Sequence, residues 1–229
     1  MNSFVDPNAP TITLASIEQF VFLIAFFLVA SLLYVNRHRL KENPKKLMLG
    51  ILIIAVIQRL ISGFYYYFFL DYTIVESLPL HICRLVCYFI ILQFFIKKDV
   101  LDQMIFYWGI FAYASFIYPV GISSPFHMLG ISFFILHTLI ILYPMLRHLV
   151  TVFYPTVKGA IVSSVFFMIY ITLMHLLNKS IGSNYFYTID RPFWHDMPEL
   201  TYFLVNLIGV CSGFILVGLV LQVLRVRRK

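Results

Sequence analysis

Seven long stretches of the chain are dominated by apolar residues and are separated by short polar segments. They cover about residues 16–35, 47–70, 77–96, 102–119, 128–146, 157–177 and 200–224. Each has the ~18 to 20 residues that an α-helix needs to cross a membrane. The runs are continuous and lack the alternation of β-barrel strands, so they predict helices. The pattern predicts an all-α polytopic membrane protein: one domain over residues 1–229, built as a bundle of seven transmembrane helices.

Basic residues are distributed unevenly between the two sides of this predicted bundle. Thirteen of the seventeen lysines and arginines flank the loops after spans one, three and five, or follow span seven. Because cytoplasmic loops carry the excess of such residues, the pattern predicts an N-terminus outside and a cytoplasmic C-terminus. The thirteen are Arg37, Arg39, Lys41, Lys45, Lys46, Lys97, Lys98, Arg147, Lys158, Arg225, Arg227, Arg228 and Lys229.

Composition also indicates a membrane protein, and it affects how the net positive charge is interpreted. The chain is 61% hydrophobic and 12% charged, whereas about a quarter of the residues in a soluble domain are charged. We interpret the net charge of +7 as a signal of topology, with basic loops near anionic headgroups. Nucleic acid is not expected as a partner.

The third and fifth spans each hold a histidine, a costly residue among lipid tails unless it has a partner or a function. At about 100° per residue, His81 and Arg84 share one face of the third span, near its outer end. Cys83 lies two positions from His81 and is expected on roughly the opposite side. This span alone therefore predicts no Cys–His pair. His137 lies well below the outer end of the fifth span, among Phe and Ile residues.

Polar residues also recur near the outer end of the sixth span. Thr172, His175 and Asn178 are spaced three apart and predict a polar stripe. The segment that follows, residues 178–200, is rich in Tyr and Phe and is long for a plain connection. Because aromatic residues suit the membrane interface, we expect this segment to lie over the outer mouth of the bundle as a lid.

These side chains suit chemistry on a phospholipid. A histidine at headgroup depth can act as a general base on a hydroxyl, or can carry an acyl group covalently. An arginine one turn away can hold a phosphate through paired hydrogen bonds. The sequence has no phosphate-binding loop, dinucleotide fingerprint or His-Glu-x-x-His motif. Neither a cofactor nor a metal is expected.

Four motifs occur in order along the chain: LPLHICRL at 78–85, YWG at 107–109, FFILHT at 133–138 and GSNYFY at 182–187. This ordered set resembles the YwaF-like bacterial membrane proteins, which are related to the vertebrate transmembrane protein 164 family.

The resemblance covers about residues 50–224 and implies a protein of the bacterial cell membrane with phospholipid-remodelling acyltransferase activity. It assigns the family histidines to His81 and His137, and it places Asn184 and Tyr185 in the outer-loop pattern. Leu80 occupies the position of the family's cysteine, so Cys83 is kept as a candidate nucleophile.

A site that opens outward lies beyond the reach of cytosolic acyl-CoA, because that donor is multiply charged. We therefore predict CoA-independent transacylation between phospholipid and lysophospholipid substrates, with His81 or His137 as general base or covalent carrier. The predicted substrate-binding residues are Arg84, His175, Tyr185, Asn178 and Asn184. Of these, Asn178 and Asn184 are candidates for stabilising the oxyanion.

A non-enzymatic transporter or binding protein for lipid or a small ligand is the main alternative. Arg59, Arg84 and His137 inside the spans could pass a proton or hold an anion. Against it, the sequence has no inverted repeat and no matching pair of helices broken by Gly or Pro. In a third interpretation, His81 and His137 ligate haem or a metal ion.

Overall fold

The described chain folds into helices, most of them joined by short connections. The computed structural model describes residues 3–70 and 73–227, so Arg228 and Lys229 of the basic C-terminal cluster lie outside the described residues. Within them, the only β-type pairing is an isolated bridge between Thr11 and Ser123. The helices are α1 (Ile17–Val35), α2 (Arg37–Glu42), α3 (Pro44–Phe68), α4 (Ile74–Ser77), α5 (Ile82–Ile96), α6 (Asp99–Ile117), α7 (Met128–Thr151), α8 (Val157–Ile181) and α9 (Glu199–Val226), with a 3-10 turn at Tyr185–Tyr187.

Six helices of the described chain have the length and hydropathy to cross a membrane: α1, α3, α6, α7, α8 and α9. They match six predicted spans within a few residues at most ends. α3 begins earlier, because Pro44 fits the first turn of a helix, where no N–H is needed. α7 continues through Pro144 to Thr151. The predicted all-α membrane architecture is confirmed.

The third predicted span, residues 77–96, is not one continuous helix. α4 ends at Ser77, residues 78–81 are non-helical, and α5 begins only at Ile82. Leu78 has φ −58° and ψ 136°, the geometry that the following Pro79 favours. The 15 residues of α5 reach about 22 Å, less than the ~30 Å hydrocarbon core of a bilayer.

α6 and α7 form the centre of the bundle. α6 packs against α5, α7 and α8, while α3 packs against α5 and α7. In their most apolar windows, 50% of α6 and 61% of α7 are buried, against 11% of α1 and of α9. α9 rests on α8, and α1 lies at the edge against α6 and α7. α5 is therefore short but lies among the central helices.

Connections gather at the two ends of the bundle. We call the end formed by residues 3–16, 73–81, 118–127 and 182–198 the histidine face. There the Ile12 N–H donates to the carbonyl of Ile122 over 2.7 Å. We call the end formed by residues 36–43, 97–98 and 152–156 the basic face. There the Arg225 guanidinium lies 4.2 Å from the centre of the Tyr154 ring.

A buried ion pair lies near the basic face. Asp102, in the first turn of α6, is 4% exposed. Its carboxylate accepts hydrogen bonds from Arg147 Nε at 2.9 and 3.0 Å and from the Tyr143 hydroxyl at 2.9 Å. The positive end of the α6 dipole also favours a carboxylate at this position. These bonds join the two central helices, α6 and α7, near the basic face.

Candidate functional site

A cavity of about 490 Å³ lies between α3, α5, α6, α7 and the start of α9, beneath the loops of the histidine face. Its wall includes the two histidines predicted as catalytic, His81 and His137, together with Arg84 and Cys83. These residues come from α7 and from the start of α5. The central helices thus bring the predicted residues of the third and fifth spans to one cavity.

His81 is held at the point where the non-helical segment meets α5. It is the N-cap residue, with φ −60° and ψ 137°, and its carbonyl accepts the first intrahelical hydrogen bond, from Leu85 N–H at 3.1 Å. Its ring packs edge-on against Tyr185, 5.1 Å between centres. Within the described residues neither ring nitrogen makes a hydrogen bond, so the imidazole is available to a bound molecule.

The non-helical backbone before His81 is supported by side chains from other helices. The Tyr170 hydroxyl of α8 donates to the carbonyl of Leu80 at 2.9 Å, and Arg84 donates to the carbonyl of Leu78 at 3.4 Å. Non-helical backbone at membrane depth is tolerated only where it is buried in protein or lines a cavity. The four residues of this segment are half-buried, and His81 at its end lines the cavity.

Cys83 lines the same cavity as His81, contrary to the expectation that it points to the opposite side. That expectation assumed a continuous helix through both residues. His81 lies before the first helical residue, Ile82, so the rotation of 100° per residue does not apply between positions 81 and 83. The cavity wall therefore holds both a thiol and an imidazole from one segment of chain.

His137 is buried in α7, with 6% of its surface exposed. Its Nδ1 lies 2.8 Å from the carbonyl oxygen of Phe133, and its ring lies 4.0 Å from the Phe133 ring, centre to centre. A carbonyl can only accept, so Nδ1 carries the proton and Nε2 of the neutral ring has the free lone pair. Backbone geometry thus fixes the tautomer that a general base needs.

Two arginines add positive charge to the cavity wall. Arg84 donates to the Tyr66 hydroxyl and lies 4.6 Å from the centre of that ring. Arg59 Nε donates to Gln58 Oε1 at 2.6 Å, and its guanidinium lies 5.8 Å from the Tyr88 ring centre. Arg59 makes no ion pair with a carboxylate among the described residues. Its charge is available to an anion in the cavity.

The aromatic segment after α8 forms one side of the cavity. Phe186 and Tyr187 have positive φ angles of 59° and 53°, and both line the cavity with Pro192 and Phe193. Tyr187 is half-buried, and this burial raises the pKa of its phenol. The segment predicted to lie over the mouth of the bundle does supply part of the cavity wall.

The remaining predicted substrate contacts lie outside the cavity lining. Asn178 is buried, and its amide bonds the carbonyl and N–H of Tyr185 at 2.8 Å each, and the hydroxyls of Ser183 and Thr188 at 2.7 Å each. Asn184 bonds the backbone of residues 189 and 190. Both side chains therefore shape the loop.

Tyr185 and His175 make contacts next to the cavity. Tyr185 is 1% exposed and packs against His81, which lines the cavity. His175 Nε2 lies 3.1 Å from Glu199, at the start of α9. These contacts join the loop and α9 to the histidine face, and neither side chain lines the cavity.

Neutral polar residues of the cavity are absent from the sequence-based prediction. Gln58 is 1% exposed, and its Nε2 donates to Ser132 Oγ at 2.9 Å and to Ser132 O at 3.2 Å. Tyr66, a tyrosine near the end of the second apolar run, is the partner of Arg84. Gln58 is a polar residue in the middle of an apolar span, and this is the signal that could have indicated it.

No group of three or more His, Cys, Asp or Glu side chains that could hold a metal ion occurs in the described ranges. The long apolar helices and the cavity that they line define an integral membrane protein of the helical, polytopic class.

A family model narrows this class. The chain belongs to the TMEM164 family, whose model matches residues 13–221. No curated protein and no solved structure matches the chain significantly.

Proposed function

We propose that this protein is a membrane phospholipid acyltransferase that moves an acyl chain from a phospholipid to a lysophospholipid. The observation that carries the proposal is a shared cavity. His81 and His137 come from different parts of the fold, and both line this cavity together with Arg59 and Arg84. A base, an anion-binding charge and apolar surface are the three things that this substrate pair requires.

Substrate binding follows from the composition of the wall. The guanidinium of Arg84 binds the phosphate of a headgroup, and Arg59 adds a second positive charge. Phe111, Phe133 and Leu136 provide apolar surface for acyl chains. The loop that carries Phe186 and Tyr187 shields the bound lipid from water.

In the transfer step, Nε2 of His137 takes the proton from the free hydroxyl of the lysophospholipid. The resulting oxygen attacks the ester carbonyl of the donor, forming one C–O bond. Collapse of the tetrahedral intermediate breaks the original ester C–O bond, and the imidazolium returns its proton to the departing oxygen. A variant of this step places the acyl group briefly on a histidine ring. Either route conserves the number of ester bonds and needs no CoA.

The intermediate's negative oxygen requires hydrogen-bond donors. Asn178 and Asn184 use their amides within the loop, so we assign this role to the backbone N–H groups of Ile82 and Cys83. They belong to the first turn of α5, which no side chain of the described residues caps, and both residues line the cavity. The positive end of a helix dipole stabilises such an oxyanion.

We further propose seven membrane crossings, with residues 78–81 and α5 together forming the third. The histidine face then lies outside, and the basic face lies in the cytoplasm, as the positive-inside rule requires. This placement excludes cytosolic acyl-CoA from the cavity. By resemblance to the YwaF-like proteins, the membrane concerned is the bacterial cell membrane.

Purified protein in liposomes with a labelled diacyl phospholipid and an unlabelled lysophospholipid, with no CoA, tests the proposal. We expect label in the former lysophospholipid, and a loss of about 10²–10⁴-fold in His137→Ala, with a large loss also in His81→Ala. His38→Ala, at an exposed histidine of the basic face, serves as control. Folded wild-type protein that moves no label would refute the assignment.

A non-enzymatic lipid or small-ligand transporter remains the second candidate, favoured by the non-helical segment 78–81. Transporters place such interruptions at their binding sites. Ligand flux into proteoliposomes without any change in lipid composition would support this candidate over the enzyme.

A further inference from the structure

A second cleft lies near the basic face, separate from the cavity that holds the histidines. It has a volume of about 450 Å³ and lies between α1, α2, α3 and α7. Its walls are almost entirely apolar, and include Leu33, Ile51 and Leu142. Four polar side chains line it: Arg39, Asn43 and Lys46 at one end, and Thr138 of α7. The volume falls in the range of about 300–1,000 Å³ that is typical of ligand sites.

A glycine keeps this cleft open. Gly50 lies on the wall, in α3, one turn beyond Lys46, and no atom lies within 4 Å of the position that a Cβ would take there. The lining of α3 extends from Lys46 to Ile54, eight residues or about 12 Å along the helix. The cleft is therefore long enough to cover a substantial part of an acyl chain.

The charges at the open end are positive and have no carboxylate partner. Arg39 and Lys46 are both exposed, and neither forms an ion pair among the described residues. The lining contains no Asp or Glu. A guanidinium and an ammonium beside an apolar cleft complement a phosphate attached to a hydrocarbon chain.

We propose that this cleft binds an anionic glycerophospholipid, with its phosphate at Arg39 and Lys46 and an acyl chain along the α3–α7 wall past Gly50. Basic pockets between transmembrane helices bind anionic headgroups for the same electrostatic reason. The site is distinct from the histidine cavity and does not depend on the transfer of acyl chains there.

Native mass spectrometry of the purified full chain, mixed with equal amounts of phosphatidylglycerol and phosphatidylcholine, tests the proposal. We expect the anionic lipid to be retained preferentially. Arg39→Gln with Lys46→Gln should lower its affinity by about fivefold per cation, about 25-fold together. Lys41→Gln with Lys45→Gln removes the same charge from residues outside the lining and should cost much less.

The apolar part is tested with a second matched pair. Gly50→Leu adds a side chain at the cleft wall, where no atom lies within 4 Å of the Cβ position, and should reduce retention of the anionic lipid. Gly63→Leu makes the same change on the same helix but outside the cleft lining. No atom lies within 4 Å of its Cβ position either, and this variant should leave retention unchanged. Equal retention of the two lipids, or equal losses in both double variants, would overturn the proposal. A bound lipid that responds to Gly50→Leu but not to loss of the cations would point to a neutral occupant and would overturn it as well.

Discussion

The hydroxyl of Tyr170 on α8 donates a hydrogen bond of 2.9 Å to the carbonyl oxygen of Leu80, the residue before His81. This bond joins two segments that are far apart in sequence, and it satisfies a carbonyl that no helix can satisfy. Since His81 follows directly, the bond also sets where the imidazole enters the cavity. Tyr170 is therefore a positioning residue for the site.

Tyr170→Phe is expected to lower both stability and transfer. Loss of the hydroxyl leaves the Leu80 carbonyl unpaired, which costs about 1–3 kcal/mol. Chemical unfolding of the purified protein in detergent measures the first effect, and the liposome transfer assay measures the second, with kcat expected to fall more than KM rises. Tyr113→Phe, an exposed tyrosine of α6, is the control. Unchanged stability and kcat would show that the bond has no such role.

Cys83→Ser is expected to retain most of the transfer activity. In the proposed step the histidine acts on the substrate hydroxyl directly, so the thiol at the cavity wall forms no bond to the acyl group. Hydroxylamine cleaves both thioesters and acyl imidazoles, so by the general-base route it should release no acyl chain from the wild-type protein. Release that persists in Cys83→Ser would indicate the histidine-bound acyl group instead. A folded Cys83→Ser protein without activity, together with an acyl chain released by hydroxylamine, would identify Cys83 as the nucleophile instead.

Asn178→Asp is expected to loosen the loop that follows α8. An aspartate can still accept from the Ser183 hydroxyl and the Tyr185 N–H, but it cannot donate to the Tyr185 carbonyl or to Thr188. Hydrogen exchange should rise in residues 183–190 and stay the same in α6. Asn36→Asp, at an exposed side-chain bond near the basic face, is the comparison. Equal exchange in wild type and Asn178→Asp would contradict this account.

Asp102→Ala is expected to destabilise the protein by about 3–5 kcal/mol, because it leaves the Arg147 guanidinium buried without its partner. The double variant Asp102→Ala with Arg147→Met should recover much of this loss, since no uncompensated charge remains. Asp99→Ala, in the same helical turn but exposed, should change the free energy of unfolding by about 0.5 kcal/mol or less. A double variant as unstable as the single one would argue against the ion pair as the cause.

Hydrophobic length alone predicts most of the fold. An uninterrupted apolar run in lipid has to be helical, which is why six predicted spans reappear as α1, α3, α6, α7, α8 and α9. The prediction of a continuous third helix was wrong at its outer end, where residues 78–81 are non-helical. Hydropathy does not distinguish a helix from a non-helical segment that is bonded by its neighbours, and Tyr170, which satisfies Leu80, lies far away in sequence.

Residues of the candidate site could be predicted from the sequence where their side chains are costly to place in lipid. Site residues whose side chains carry no such cost could not be predicted. His81, His137 and Arg84 stand out because a charged or titratable group in an apolar run requires a reason. Asn178 was noticed for the same reason, but its partners are loop atoms that only the folded chain brings together. Gln58 carried the same kind of signal, whereas Tyr66 is an ordinary tyrosine near the end of a span, and both enter the cavity because α3 packs against both α5 and α7.

The shortness of α5 has a consequence for the surrounding bilayer. If α5 is the third crossing, as proposed, its regular helix of about 22 Å meets a thicker hydrocarbon layer, and lipids adapt to such a mismatch by thinning locally. Headgroups beside α5 then sink towards the depth of the imidazoles, so a phospholipid can present its ester bond to the protein while its tails stay in their own leaflet.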